Sequence, residues 1–273
     1  MSLSNINDKG LVLLGCGKMG SAMLQGWLTQ GVAASAVSIR DPMPSGWAQA
    51  LVEDGVSLNE PLPENPAVCI LAVKPQMMGE ALPQLQALGD GTTLFISIAA
   101  GTPIAALESI LGADTPIIRA MPNTPAAVGR GITALIGNDK TDMAALDMAE
   151  TLLMAVGQVV RLESEDQMDA VTALSGSGPA YVFHLIETMA ASGEALGLPP
   201  AMALKLAKAT VAGAGALAEQ SEESPTQLRV NVTSHKGTTA AALDVLMDAE
   251  TGFPKSVGEA MKAAAERSRE LGK

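Results

Sequence analysis

The sequence predicts an α/β fold: a mostly parallel N-terminal sheet covered by helices, followed by an all-helical domain. Three observations carry this expectation. Short apolar runs alternate with helical spacing as far as about residue 160. A glycine-rich turn joins the first such run to the first helix. Around Glu163-Ser164-Glu165 the strand signals stop, and only helical spacing follows. With 273 residues, two domains are expected, divided as 1–163 and 164–273.

The strands come first. Leu11-Val12-Leu13-Leu14 is a buried-strand run, and helical spacing follows over 18–30. Val37-Ser38-Ile39 reads as a second strand, and 67–73 (AVCILAV) is too apolar to have a solvent face. Runs at 93–98 and 116–120 continue the series, and 131–137 and 158–162 close it. Helices are expected near 76–88, 103–111 and 141–154. Fully apolar strands alternating with helices imply a largely parallel sheet covered on both faces.

In the second half, Pro179 stands in the first turn of a helix whose apolar positions include Val182, Leu185, Ile186, Met189 and Leu196. The next, 201–218, is apolar on nearly every face apart from Lys205 and Lys208. A helix apolar all round is buried on all sides. So small a domain cannot hide it alone, which points to a contact between subunits. Further helices are expected near 225–232, 239–248 and 254–270.

Composition narrows the function. The chain has 45 Ala and 27 Gly but only three Phe, two Trp and one Tyr, so a core of small side chains with closely packed backbones is expected. Against 17 Lys and Arg stand 29 Asp and Glu, a net charge of −12. That argues against nucleic acid or an anionic membrane as partner, and any anionic ligand must be held by local backbone donors. No run reaches the ~18 apolar residues of a bilayer span, and the start MSLSNINDKG lacks the pattern of a signal peptide. A cytoplasmic protein is expected. Cys16 and Cys69, with His184 and His235, form neither a disulfide framework nor a metal-ligand pattern, so no metal is expected.

Gly15-Cys16-Gly17-Lys18-Met19-Gly20 is a GxGxxG directly after a strand and opening a helix. In a Rossmann-type dinucleotide site the first glycine makes the turn, the second admits the pyrophosphate and the third packs helix on strand. Cys16, Lys18 and Met19 fill its variable positions. The ribose-reading position, about 20 residues on, falls on Arg40-Asp41. Asp41 suits the ribose of NAD and Arg40 the 2′-phosphate of NADP, while a solvated turn before Pro42 explains both equally well. Lys74, in Ala72-Val73-Lys74-Pro75, leaves a strand at its carboxyl end, where ligands bind in such sheets. Met121-Pro122-Asn123-Thr124-Pro125 is a rigid polar loop on the same edge. In the helical half, Ser175-Gly176-Ser177-Gly178-Pro179 and Thr233-Ser234-His235-Lys236-Gly237-Thr238-Thr239 each present backbone amides before a helix, an arrangement suited to a carboxylate.

Together, GCGKMGSAM (15–23), LAVKPQ (71–76), AMPNTPA (120–126), TALSGSGPAY (172–181) and VTSHKGTTAAAL (232–243) resemble, in order, the segments of the pyrroline-5-carboxylate reductase family. The resemblance spans almost the whole chain. It implies an NAD(P)-binding Rossmann domain, with NADP favoured and NAD allowed, and a helical domain that interlocks two subunits. It also implies hydride transfer to a small cyclic imino acid, 1-pyrroline-5-carboxylate, to give L-proline. By the same resemblance Gly15, Gly17 and Gly20 form the phosphate loop, and Asn59 meets a cofactor ribose. Ala72, Val73, Lys74 and Pro75, with Met121, Pro122 and Asn123, line the nicotinamide side. Thr239 bonds the substrate nitrogen, with Glu222 nearby, and Ser234, Lys236, Gly237 and Thr238 hold the carboxylate. Thr239 and Lys74 are the catalytic candidates.

One departure stands out. The family usually has Ser-Pro-Gly-Gly before the threonine pair, where this chain has Ser234-His235-Lys236-Gly237. Two other readings share the two-domain plan or the glycine loop. A β-hydroxyacid dehydrogenase needs a lysine on its central helix, where this chain has Val182. A dinucleotide-sensing regulator has no use for the 232–243 loop.

Overall fold

In the computed structural model, which describes residues 3–89 and 91–272, the chain forms two compact units. The first is Met1–Gly176 with Ala265–Lys273, the second Ser177–Ala264.

The first unit is built on one eight-stranded sheet. Its strands are β1 (Leu11–Leu14), β2 (Val37–Arg40), β3 (Ser57–Leu58), β4 (Val68–Leu71), β5 (Leu94–Ser97), β6 (Ile117–Met121), β7 (Gly131–Gly137) and β8 (Gly157–Arg161). Their order across the sheet is β3-β2-β1-β4-β5-β6-β7-β8, parallel throughout except at the β6–β7 pair. Leu11 of β1 lies in register with both Val37 and Val68, so the chain reverses its direction of travel across the sheet at β1 and β4. Ligands of open parallel sheets sit at the carboxyl ends of such a switch point.

Helices α1 (Leu3–Lys9), α2 (Lys18–Thr29), α3 (Gly46–Ala50), α4 (Met78–Ala81), α5 (Ile104–Leu111), α6 (Met143–Leu153) and α7 (Met168–Val171) belong to this unit. Two apolar clusters cover the faces of the sheet. Leu11 and Leu13 point into one, with Trp27 and Leu152; Val12 and Leu14 point into the other, with Leu82, Phe95 and Leu107. Trp27 is wholly buried and its indole N–H donates to the Leu152 carbonyl at 2.8 Å, which satisfies its one polar atom.

The single helix expected over 76–88 is in fact three short pieces. A 3₁₀ turn, Pro75–Met77, precedes α4, and a second 3₁₀ stretch, Pro83–Leu88, follows it. Pro83 cannot donate a helical hydrogen bond, and its ring crowds the preceding turn. Several short elements escaped the sequence reading, among them α1, α3, α7 and the two-residue strand β3.

The second unit holds α8 (Gly178–Ala195), α9 (Pro200–Gln220), α10 (Pro225–Asn231) and α11 (Thr238–Leu246). The last helix, α12 (Phe253–Leu271), starts in the second unit and ends in the first. Among the described residues no strand follows β8. Helices α8 and α9 pack on each other, yet α9 buries only Ala203 and Ala207. Met202, Leu204, Leu206 and Leu217 remain exposed in the single chain. Contrary to the expectation from the sequence, α9 is long and apolar enough to cross a membrane by length and composition. Runs of alanine raise its mean hydropathy although Lys205 and Lys208 lie within it.

Candidate active site

In the first unit the glycine turn follows the logic of its spacing. Gly15 sits at φ +91°, and a Cβ there would lie 2.8 Å from the Ala72 carbonyl oxygen. A Cβ on Gly20 would lie 2.3 Å from the Gly15 carbonyl oxygen. Both positions are closed to any side chain. Gly17 differs: nothing lies within 4 Å of its Cβ position, and it caps α2 without a side-chain hydrogen bond. The space beside the start of α2 is therefore open at Gly17, and no side chain caps the helix there. This cradle fits a pyrophosphate.

Around it gather the other residues singled out in this half. Gly15 N–H donates to the Arg40 carbonyl (2.7 Å), and Ala72 N–H to the Leu14 carbonyl (2.8 Å). Cys16 N–H donates to Asp41 Oδ2 at 2.7 Å. Burial first, and the Asp41 charge second, push the Cys16 thiol up to about 11, so it is a protonated wall of the loop and no nucleophile. Lys18 is exposed, whereas Met19 packs against the apolar core. A cleft of about 270 Å³ opens beside the loop, lined by Arg40, Asp41, Asn59, Val73 and Met77 among others. Lys74 is exposed and caps the 3₁₀ turn at Pro75.

Met121, Pro122 and Asn123 leave β6 at the same carboxyl edge. The Asn123 amide is committed to the fold. It donates to the Ser175 carbonyl (3.1 Å) and accepts from Ile132 N–H (3.0 Å). Ser175 lies in a π-helical turn, Thr172–Gly176, where a Cβ on Gly176 would strike Met121 Cε at 2.5 Å. Sequence reasoning saw amides before a helix here but not the π turn, which carries no signature in residue types.

In the second unit Ser234, Lys236, Gly237, Thr238 and Thr239 come together at one turn and helix start. Gly237 N–H donates to the Ser234 carbonyl at 3.0 Å, closing a four-residue turn. Lys236, third in that turn, has φ +58°. A turn with positive φ only at its third residue favours Pro then Gly at the centre. His235 and Lys236 occupy those two positions, so the loop keeps its shape at the cost of a strained lysine. Gly237 caps α11 with no side-chain bond, and a Cβ there would lie 2.2 Å from Ser234 Oγ. Thr238 is exposed and Thr239 half-buried in the first turn. Glu222 is exposed in the turn before α10, next to Glu223, which accepts from Asn231.

Comparisons with known proteins agree along the chain. Residues 165–271 match the family model for pyrroline-5-carboxylate reductase dimerisation, and residues 10–101 match that for NADP oxidoreductase, coenzyme F420-dependent. A pyrroline-5-carboxylate reductase of Pseudomonas aeruginosa is 40% identical over 264 residues, 96% of each chain. The chain belongs to the pyrroline-5-carboxylate reductase family. The enzyme is also 47% identical to the Synechocystis reductase over 206 residues, 76% of this chain and 75% of that one. Among solved structures, the Coxiella burnetii reductase superposes with TM-score 0.89 at 33% identity, covering 97% of this chain and 99% of that chain. The Plasmodium falciparum reductase, with NADP bound, gives 0.82 at 27% identity over 98% and 99%. Membership makes the enzyme an NAD(P)H-dependent oxidoreductase of proline biosynthesis, reducing 1-pyrroline-5-carboxylate to L-proline. The apolar helix α9 lies inside the matched dimerisation region.

Proposed function

We propose that the two units divide the work of this reaction between two uncapped helix starts. The observation that carries the reading is a shared feature: Gly17 before α2 and Gly237 before α11 both start a helix with no side-chain cap, as an anion site requires, the first beside open space and the second beside the Ser234 hydroxyl. The first takes the dinucleotide pyrophosphate, the second the substrate carboxylate. Neither requires net positive charge, which suits a chain at −12.

In this reading Gly15, Cys16, Gly17, Lys18, Met19 and Gly20 form the phosphate loop, with Arg40, Asp41 and Asn59 at the adenosine ribose. Ala72, Val73, Lys74 and Pro75, with Met121, Pro122 and Asn123, line the nicotinamide side. A bound reduced nicotinamide would supply a hydride for the ring carbon of the C=N bond, and the ring nitrogen would keep the proton. Ser234, Lys236, Gly237 and Thr238 hold the carboxylate, and the Thr239 hydroxyl bonds the ring nitrogen, with Glu222 close to it. A protonated imine is the better electrophile, and one arriving protonated needs no dedicated acid. The chain's own contribution is then orientation, which is worth several kcal/mol in such reactions.

The functional division is proposed at 163/164, supported by the dimerisation match beginning at residue 165. The same match and the exposed apolar side chains of α9 support a homodimer or a larger assembly of dimers; the proposed place of work is the cytoplasm. Thr239→Ala is expected to cut kcat/KM at least tenfold, as for a lost bond of about 1.4 kcal/mol, with the Kd for NADPH unchanged. Unaltered turnover would remove Thr239 from the site.

A further inference from the structure

The geometry points to Asn59 as a positioning residue that sets how the enzyme tells a phosphorylated ribose from an unphosphorylated one. Asn59 has φ +58°, a left-handed conformation that asparagine tolerates better than most residues. Its N–H donates to the Ile39 carbonyl at 2.9 Å, fixing it beside the end of β2. From there its amide grips Asp41 at two points: Oδ1 accepts from Asp41 N–H (3.0 Å), and Nδ2 donates to the Asp41 carbonyl (2.8 Å). The Asn59 carbonyl in turn accepts from Arg40 Nη1 at 2.8 Å. One residue thus places both charged groups at the strand end.

The consequence falls on the cleft. Held this way, Asp41 accepts from Cys16 N–H through Oδ2 (2.7 Å) and from Met43 N–H through Oδ1 (2.8 Å). Its negative charge stands at the edge of the phosphate loop. Arg40 is anchored rather than free to follow a ligand: Nη1 is spent on Asn59, and Nε is buried without a partner. Both side chains line the same cleft. A fixed carboxylate accepts a bond from a ribose hydroxyl and repels a phosphate, while a guanidinium does the reverse. The balance depends on where each is held, and that is the task of Asn59. This inference rests on the reading that residues 15–20 take the pyrophosphate.

The test uses full-length enzyme without substrate and calorimetric titration with two ligands that differ only in the 2′-phosphate, 5′-AMP and adenosine 2′,5′-bisphosphate. Asp41→Asn, which removes the charge but keeps an acceptor for Cys16 N–H, is expected to tighten the bisphosphate roughly tenfold relative to AMP. Asn59→Gly keeps the left-handed backbone and removes the clamp. It is expected to move the ratio of the two Kd values at least threefold towards one. A wild-type ratio of one, or Asn59→Gly weakening both ligands equally or neither, overturns the inference. So does a ratio that responds to Asp41→Asn alone. Gly17→Val is the separate control. Loss of both ligands supports the pyrophosphate reading, and unchanged binding overturns that reading whatever Asn59 does.

Discussion

Arg119 Nη1 and Glu165 Oε1 stand 2.7 Å apart, and the same Oε1 accepts from Ile104 N–H at 2.9 Å. One carboxylate therefore neutralises a guanidinium buried on β6 and caps the first turn of α5, whose own N-cap is Pro103. Removing it leaves a cation without its partner and a helix start without an acceptor. The Glu165 side chain is 32% exposed, which places the cost below that of a fully buried pair. Glu165→Ala is expected to lose about 2 kcal/mol in urea unfolding. A loss under 0.5 kcal/mol would show that water replaces the carboxylate freely.

Lys236 carries the strain of the substrate turn. Lys236→Gly is expected to stabilise the protein by about 1 kcal/mol, because glycine enters the left-handed region without a Cβ clash. Lys236→Asn tolerates the same backbone but lacks the cation. If the charge helps hold the substrate carboxylate, KM for pyrroline-5-carboxylate rises several-fold in both variants. An unchanged KM would make Lys236 a bystander.

The glycines of the phosphate loop separate folding from binding. Gly20→Ala sets a methyl group against the Gly15 carbonyl, 2.3 Å away, and must push α2 off β1. It is expected to destabilise by roughly 3 kcal/mol or prevent folding. A Cβ at Gly17 meets nothing within 4 Å, so Gly17→Val is expected to keep its melting temperature within a few degrees while NADPH binding is lost. Equal melting temperatures for the two variants would contradict the packing described.

The two free cysteines give stability a dependence on alkaline pH. Cys16 rises from 9.0 to about 11, and burial pushes Cys69 higher still. The folded state holds these protons more tightly than the unfolded one. Their contribution is therefore complete below pH 9 and declines as pH climbs towards the folded values. Each thiol adds a slope of about 1.4 kcal/mol per pH unit above that point. Urea unfolding at pH 8 and pH 10 should show it, and Cys16→Ala should reduce the difference.

Leu206, exposed on α9 in the single chain, offers a probe of assembly. Leu206→Glu is expected to shift the mass seen by light scattering towards the monomer. A stable monomer in the wild type would contradict the interlocked reading.

The parallel sheet was legible because β1, β4 and β5 have no solvent face: with helices on both sides, every residue of Val68–Leu71 is apolar and buried. The glycine loop was legible because spacing alone separates the closed positions 15 and 20 from the open position 17. Other features leave no such trace. Pro83 splits the stretch 76–88, whose apolar spacing continues on both sides of it and so reads as one helix. Two-residue β3 is too short to show a period. The Asn59 grip on Asp41 joins residues 18 positions apart through one amide, and no pattern of residue types announces it. The same holds for Asn123, a loop asparagine by sequence and a bridge between Ile132 and Ser175 in the fold. The left-handed Lys236 became intelligible only once the turn closing on Ser234 was seen.

The path of α12 bears on how the chain is made. Ser268 Oγ donates to Asp169 Oδ1 at 2.6 Å, and the backbone at Gly101 approaches Leu271 so closely that a Cβ would lie 3.2 Å from its Cβ. The ribosome delivers β1 long before these closing contacts. A nascent chain can pair its strands early, but the cofactor-binding half waits for residue 268 and beyond before its last seam closes. Truncations near the C-terminus should therefore impair a half of the molecule translated long before them.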